Sequence, residues 1–308
     1  MFAALAILMS GWGYPLALFG LGLVFGSFLN VCIYRLPLGR SVVAPGSACP
    51  ECGKAIRAYD NIPVLSWLAL RGRCRDCGAG IAARYPAVEL MTGLLFLACA
   101  LHFSSSSSGA WAAAKYCVLC FLLLGLIFTD LEHLTLPDEM TWSGIALGLL
   151  FSSVVWVPGV PGWLLLPQER WEVRVVSLLH AVIGAAVGAG VVYVIGEIYR
   201  RARGAEGIGL GDVKLMGMIG AFLGMRLALF TLFLGSAIGA AVGIAMMVTV
   251  FLRRQRRYRS NGRAWRSVRA AGAHFPVPFG SFLGIAGLVA VFWGERVLGW
   301  YWGAVSGF

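Results

Sequence analysis

The sequence predicts an all-α polytopic membrane protein of about eight transmembrane segments, plus one small loop domain outside the bilayer. Three observations carry this. The 308 residues are 59% hydrophobic and only 13% charged, with mean hydropathy +0.80, which excludes an ordinary soluble domain. Apolar runs long enough to cross a bilayer recur along the chain. The basic residues gather in three stretches between those runs.

A helix crosses the hydrocarbon core with roughly 17–25 apolar residues. Such runs fall near 13–34, 86–103, 110–129, 140–157, 176–199, 227–251 and 275–298. One further apolar piece, 213–225, covers only about 20 Å as a helix and is expected to be a short or partly inserted segment. The first ten residues hold no Lys or Arg and no small-residue cleavage pattern follows, so the N-terminus reads as a retained helix. The serine run 104–108 reads as a flexible external loop. The stretch 157–174, with Pro158, Pro161 and Pro167, is expected outside the membrane.

Orientation follows from the positive charges. Stretches 35–84, 200–214 and 253–269 hold 20 of the 25 Lys and Arg. The other five, Lys115, Arg170, Arg174, Arg226 and Arg296, fall at the opposite ends of segments. With eight crossings this predicts both termini outside and the three basic loops in the cytoplasm. The net charge of +11 follows from the same rule. The expected partner of these loops is therefore the lipid bilayer and its anionic headgroups, and no nucleic acid is invoked.

Two aspartates stand out against this background. Asp212 closes the tetrapeptide Gly209-Leu210-Gly211-Asp212 where a basic loop meets an apolar run. Asp130 ends the third run. The predicted topology puts both at the cytoplasmic face, and carboxylates in so expensive a place are expected to be functional. Two carboxylates brought close share a proton. The ionised one can then take a proton from water attacking a carbonyl, while the other donates to the carbonyl oxygen. Gly209 and Gly211 remove bulk beside Asp212, which is expected to permit unusual backbone angles and close approach of an extended substrate. The bland alternative is a plain helix entry capped by Asp212.

Eight cysteines divide into two groups. Cys49-Pro50-Glu51-Cys52 and Cys74-Arg75-Asp76-Cys77 are CxxC pairs 21 residues apart, each followed by a glycine, Gly53 and Gly78. Four thiolates so spaced predict a closed, tetrahedral, structural Zn2+ site and a zinc-ribbon-like loop. A reducing cytoplasm favours metal over disulfide. Cys32, Cys99, Cys117 and Cys120 lie in apolar runs and read as small packing residues.

Further phrases surround these: Gly26-Ser27-Phe28-Leu29-Asn30-Val31-Cys32-Ile33-Tyr34-Arg35-Leu36-Pro37, then Tyr85-Pro86-Ala87-Val88-Glu89-Leu90, then Leu136-Pro137-Asp138 after Asp130, and Phe275-Pro276-Val277-Pro278-Phe279-Gly280. Together with the CxxC pairs and the GxGD phrase they occur in order over nearly the whole chain. In this the chain resembles the type IV prepilin peptidase and N-methyltransferase family of GxGD aspartic proteases. The resemblance implies that Asp130 and Asp212 are the catalytic pair. It implies prepilin and pseudopilin substrates with short basic leaders, cut at the cytoplasmic face of the bacterial inner membrane. It also implies methylation of the new N-terminus from S-adenosylmethionine.

The stretch 130–139 carries four acids (Asp130, Glu132, Asp138 and Glu139) and no Lys or Arg. It is expected to attract a basic leader, or else Asp138 and Glu139 merely complement a helix start. Lys214 is expected to offset carboxylate charge or to snorkel. Glu89 is expected to pair with Arg84 or another cation, or to lie near the methylation site. Asn30 is expected to bond a neighbouring helix. Gly184 with Gly188, Gly217 with Gly220 and Gly224, and Gly235 with Gly239 and Gly243 read as close-packing ladders. The expected units are a first helix (1–34), the zinc loop (35–85) and a membrane core (86–308). Two alternatives stay open: a peptidase without methylation, and a transporter or channel whose aspartates bind cations.

Overall fold

The computed structural model describes residues 11–103, 109–156, 173–204, 207–257 and 278–305. The expectations for residues 1–10, the serine run, the proline-bearing stretch 157–172 and the third basic loop from 258 onward lie outside the described residues.

The described chain is all-helical. Helix α1 is Gly13–Arg35 and ends in a 3-10 turn, Leu36–Leu38. The cysteine loop holds a 3-10 turn, Ala58–Asn61, and the short α2, Leu65–Ala69. Then come α3 (Arg84–Phe103), α4 (Gly109–His133), α5 (Asp138–Ser152), α6 (Val173–Arg203) and α7 (Leu210–Arg257). Helix α8, Phe279–Val289, passes through one π turn into α9, Glu295–Val305. Six of these stretches are long and apolar enough to cross a membrane.

Helix α7 is two helices. Gly224 has φ 78° and ψ 173°, outside helical values, and only glycine takes that conformation without strain. A Cβ added to Gly188 would lie 2.5 Å from the Met216 carbonyl oxygen and 3.7 Å from the Ala228 Cβ. Residues twelve apart in a straight helix are separated by about 18 Å, so the chain turns back at Gly224. The first limb, 210–223, is the short segment that the sequence predicts. Leu227 then meets Gly294, and Gly239 meets Phe282, so the second limb returns along α8. Helix α5 is also shorter than the predicted run 140–157. It is helical for 15 residues, about 22 Å.

Helix α4 is the centre of the bundle: 78% of its apolar window is buried, against 22–44% for the other spans. Lipid tails are as apolar as leucine, so close fit rather than burial from water holds such helices together. The fit is made by glycines. A Cβ on Gly220 would stand 2.0 Å from the carbonyl oxygen of Gly184, and one on Gly26 would stand 2.6 Å from the Glu89 Cα. Gly235 and Gly239 meet α8 in the same way, but Gly243 has nothing within 4 Å, so that ladder is two rungs long rather than three.

The cysteine loop is built from two matching knuckles. Cys49 N–H donates to Lys54 and Gly53 N–H to Cys49, at 2.9 Å each; Cys74 N–H donates to Ala79 at 2.8 Å and Gly78 N–H to Cys74 at 2.9 Å. Gly53 (φ 70°) and Gly78 (φ 74°) make the left-handed turn in each. Lys54 pairs with Asp76 across the knuckles, and Arg75 pairs with Asp60.

Candidate active site

Asp130 stands in the last turn of α4 and Asp212 in the first turn of α7, both nearly buried. The chain leaves α4 sharply. Leu134 takes φ 55° and its N–H donates to the Asp130 carbonyl at 2.9 Å, and Pro137 then starts α5. The two carboxylates meet at the start of α8. A Cβ placed on Gly280 would lie 3.1 Å from Asp130 Oδ2 and 3.2 Å from Asp212 Oδ1. Both oxygens therefore face one small space that exists because residue 280 has no side chain.

Ser281 fixes one of them. Its N–H donates to Asp130 Oδ2 at 2.6 Å and its hydroxyl reaches the same oxygen at 3.0 Å. The hydroxyl also lies 3.1 Å from the Ile127 carbonyl. Ser281 is fully buried. It was missed in the sequence because a serine one residue past a Pro-Phe-Gly phrase looks like any helix-start serine.

Of Gly209 and Gly211, only Gly211 is tightly enclosed. Neither has a positive φ, so the expectation of unusual backbone angles is not met. A Cβ on Gly211 would stand 3.1 Å from the Leu136 Cβ, and one on Gly209 would stand 3.7 Å from Asp212 Oδ2. Leu136 also reaches 2.9 Å from the Cβ position of Gly280. It roofs the space between the aspartates.

The acids around the pair are partly spoken for. Lys214 pairs with Asp138 at 2.6 Å, which ties α7 to α5, so its partner is Asp138 rather than the aspartate pair. Glu132 pairs with Arg84 and ties α4 to the start of α3. Glu139 is exposed and forms no ion pair among the described residues. Asp138 and Glu139 occupy the first turn of α5 without a side-chain cap bond.

Glu89 pairs with no cation among the described residues, against the pairing expectation: Oε2 accepts the N–H of Val64 at 2.7 Å. Val64 has φ 61°, a strained conformation for a β-branched residue. Glu89 therefore anchors the cysteine loop on the bundle. Asn30 bonds a neighbouring helix as expected, donating to the Tyr85 carbonyl at 3.0 Å.

The four loop cysteines converge. Their sulfurs all lie within 4.8 Å of one another, with Cys49 and Cys77 at 3.8 Å. A tetrahedron with Zn–S bonds of ~2.3 Å has edges of about 3.8 Å, so the thiols fit a metal of that kind. Backbone N–H groups of Cys52 and Glu51 pull the Cys49 thiol down to about 7, which favours the thiolate that binds metal. Cys99 and Cys120 approach to 3.9 Å inside the bundle, buried as the sequence predicts.

Among the described residues the buried carboxylates are Glu89, Asp130 and Asp212. All lie at one end of the bundle.

These features define an all-helical membrane protein with a buried carboxylate pair and a four-thiol loop at one end. The chain belongs to the type IV leader peptidase family. The family profile described as "Type IV leader peptidase family" matches residues 117–244, and "Bacterial Peptidase A24 N-terminal domain" matches residues 21–103. Similar relatives are the prepilin leader peptidase/N-methyltransferases of Aeromonas hydrophila (34% identical, 94% of each chain) and Stutzerimonas stutzeri (35%, 91% of each chain). That of Myxococcus xanthus is 41% identical over 76% of this chain and 64% of its own. No solved structure matches.

Proposed function

We propose that this protein is a membrane-embedded aspartic endopeptidase that removes the short basic leader of prepilins and pseudopilins and methylates the new N-terminus. The observation that carries the peptidase is Gly280, against whose missing side chain both aspartates turn an oxygen. The relatives' names support the substrate class and the second activity. The protein sits in the inner membrane, with the aspartate end at the cytoplasmic face and both termini outside.

Asp130 and Asp212 act as the general base and acid. Two donors from Ser281 hold Asp130 Oδ2, which leaves Oδ1 to accept a proton from water. Asp212 lacks such side-chain donors among the described bonds and supplies the proton. Water adds to the scissile carbonyl, its proton passes to Asp130, and Asp212 protonates the carbonyl oxygen. The C–N bond then breaks as the departing nitrogen takes the proton from Asp130 and a hydroxyl of the diol returns its proton to Asp212, which restores the starting pair. Gly209 and Gly211 leave room for the substrate backbone, and Leu136 must move aside to admit it.

Cys49, Cys52, Cys74 and Cys77 hold Zn2+ in a closed structural site that folds the loop. S-adenosylmethionine is the methyl donor that the second activity needs. The described residues show no strand–loop–helix nucleotide cradle, and the transfer is assigned to no side chain.

Purified protein incubated with a prepilin, with and without S-adenosylmethionine, tests this by mass. Leader loss should vanish in both Asp130→Asn and Asp212→Asn, by at least about a hundredfold. A gain of one methyl should require the donor. Intact substrate with the unaltered protein would falsify the enzymatic reading.

A further inference from the structure

The cysteine loop does not stand clear of the bundle. Val64 N–H is bonded to Glu89, and Glu89 lies five residues into the spanning helix α3, roughly 7.5 Å along its axis. Helix α2 begins at the next residue, Leu65. It is thereby held at the depth of the first turns of a membrane-spanning helix.

The outer face of this segment is apolar. Leu65 is 65% exposed, Leu68 58%, and Ile62 48%. Leu65 and Leu68, three apart in α2, lie along one side of it, and exposed Ile62 stands just before its start. The inner side is committed elsewhere. Buried Ser66 donates to the Tyr59 carbonyl and accepts the N–H of Ile62, and Trp67 Nε1 donates to Ile81 at 3.0 Å. The orientation of α2 is therefore fixed by polar bonds, and its leucines are left turned outward beside the first turns of α3.

The surroundings are basic. Stretch 35–84 carries eight Lys and Arg against three Asp and Glu, and exposed Arg71 and Arg73 directly follow α2. A basic leader peptide is a poor match for such a surface. An anionic lipid face with an apolar layer beneath is a good one.

We propose that Ile62, Leu65 and Leu68 insert into the headgroup–acyl boundary of the leaflet at the aspartate end, so that the cysteine loop is a membrane-surface domain. Arg71 and Arg73 lie over anionic headgroups. The two metal knuckles then brace a loop that is anchored at both its Glu89 contact and its lipid contact. This holds whether or not Asp130 and Asp212 are catalytic, because the surface does not involve them.

The test uses the full chain in nanodiscs of phosphatidylethanolamine and phosphatidylglycerol, with prepilin added. Leu68→p-benzoylphenylalanine is compared with Lys54→p-benzoylphenylalanine, which sits on a knuckle where the lysine side chain is 64% exposed. After illumination, intact mass should show lipid adducts at position 68 at least about tenfold above position 54. Adducts to prepilin at position 68, no lipid adduct there, or equal lipid adducts at both positions would each overturn the proposal. Leader cleavage in the same sample separates this outcome from a failure of the peptidase reading.

Discussion

Ser281 donates its N–H to one oxygen of Asp130 at 2.6 Å, from 151 positions further along the chain, and its hydroxyl lies within bonding reach of that same oxygen (3.0 Å) and of the Ile127 carbonyl (3.1 Å). A carboxylate so held has one oxygen committed and one free. Ser281→Ala keeps the backbone donor and loses the hydroxyl, whose bond to a charged acceptor is worth about 1.5–3 kcal/mol. Expected is a fall in kcat of at least about tenfold with KM little changed and recovery in Ser281→Thr. Steady-state kinetics on a prepilin check it, and an unchanged kcat in Ser281→Ala would remove the positioning role.

Gly280 separates size from conformation. Its φ is not positive, so alanine is tolerated by the backbone, yet the added methyl would sit 3.1 and 3.2 Å from the two aspartate oxygens. Gly280→Ala should cut cleavage by at least about a hundredfold, as expected for a sub-ångström displacement of reacting groups, while helicity by circular dichroism is retained.

The acidic stretch should divide by partner. Glu132 and Asp138 are tied to Arg84 and Lys214, whereas Glu139 has no ion pair among the described residues. Glu139→Lys should raise KM for basic leaders about threefold, in line with exposed charges worth up to ~1 kcal/mol, with kcat kept. Glu132→Lys should instead loosen the α3–α4 contact and lower thermal stability. Equal kinetics for Glu139→Lys and the unaltered protein would show that the leader does not touch this face.

The loop metal should behave as structural. Cys49→Ala or Cys74→Ala should abolish one bound zinc per chain by elemental analysis and expose 35–84 to protease. Zinc retention should fall as pH drops, because each ligand must be a thiolate and acid protonates it.

The α6–α7 contact should be intolerant of any side chain. Gly220→Val would place carbon 2.0 Å from a backbone oxygen of Gly184. Overpacking of this kind destabilises by about 3 kcal/mol or more, which thermal unfolding in detergent would show as a clear drop in Tm.

Local patterns already show the helical class, the main apolar runs, the cysteine knuckles and the placing of Asp130 and Asp212 at run ends. Each of these is a local property: apolar runs of set length, glycines after CxxC pairs, charges at run ends. The 13 apolar residues of 213–225 also read as too short to span the core, but the turn at Gly224 that ends this limb is seen only in the structure. What the sequence could not decide were partners set by distance in space. Glu89 meets a backbone N–H rather than Arg84, Lys214 meets Asp138, and Arg84 meets Glu132. Only the tertiary structure brings Gly280 between Asp130 and Asp212 and aims Ser281 at one oxygen. A missing Cβ and a backbone donor acquire meaning only when three helices remote in sequence converge, and no spacing rule within one helix encodes that convergence.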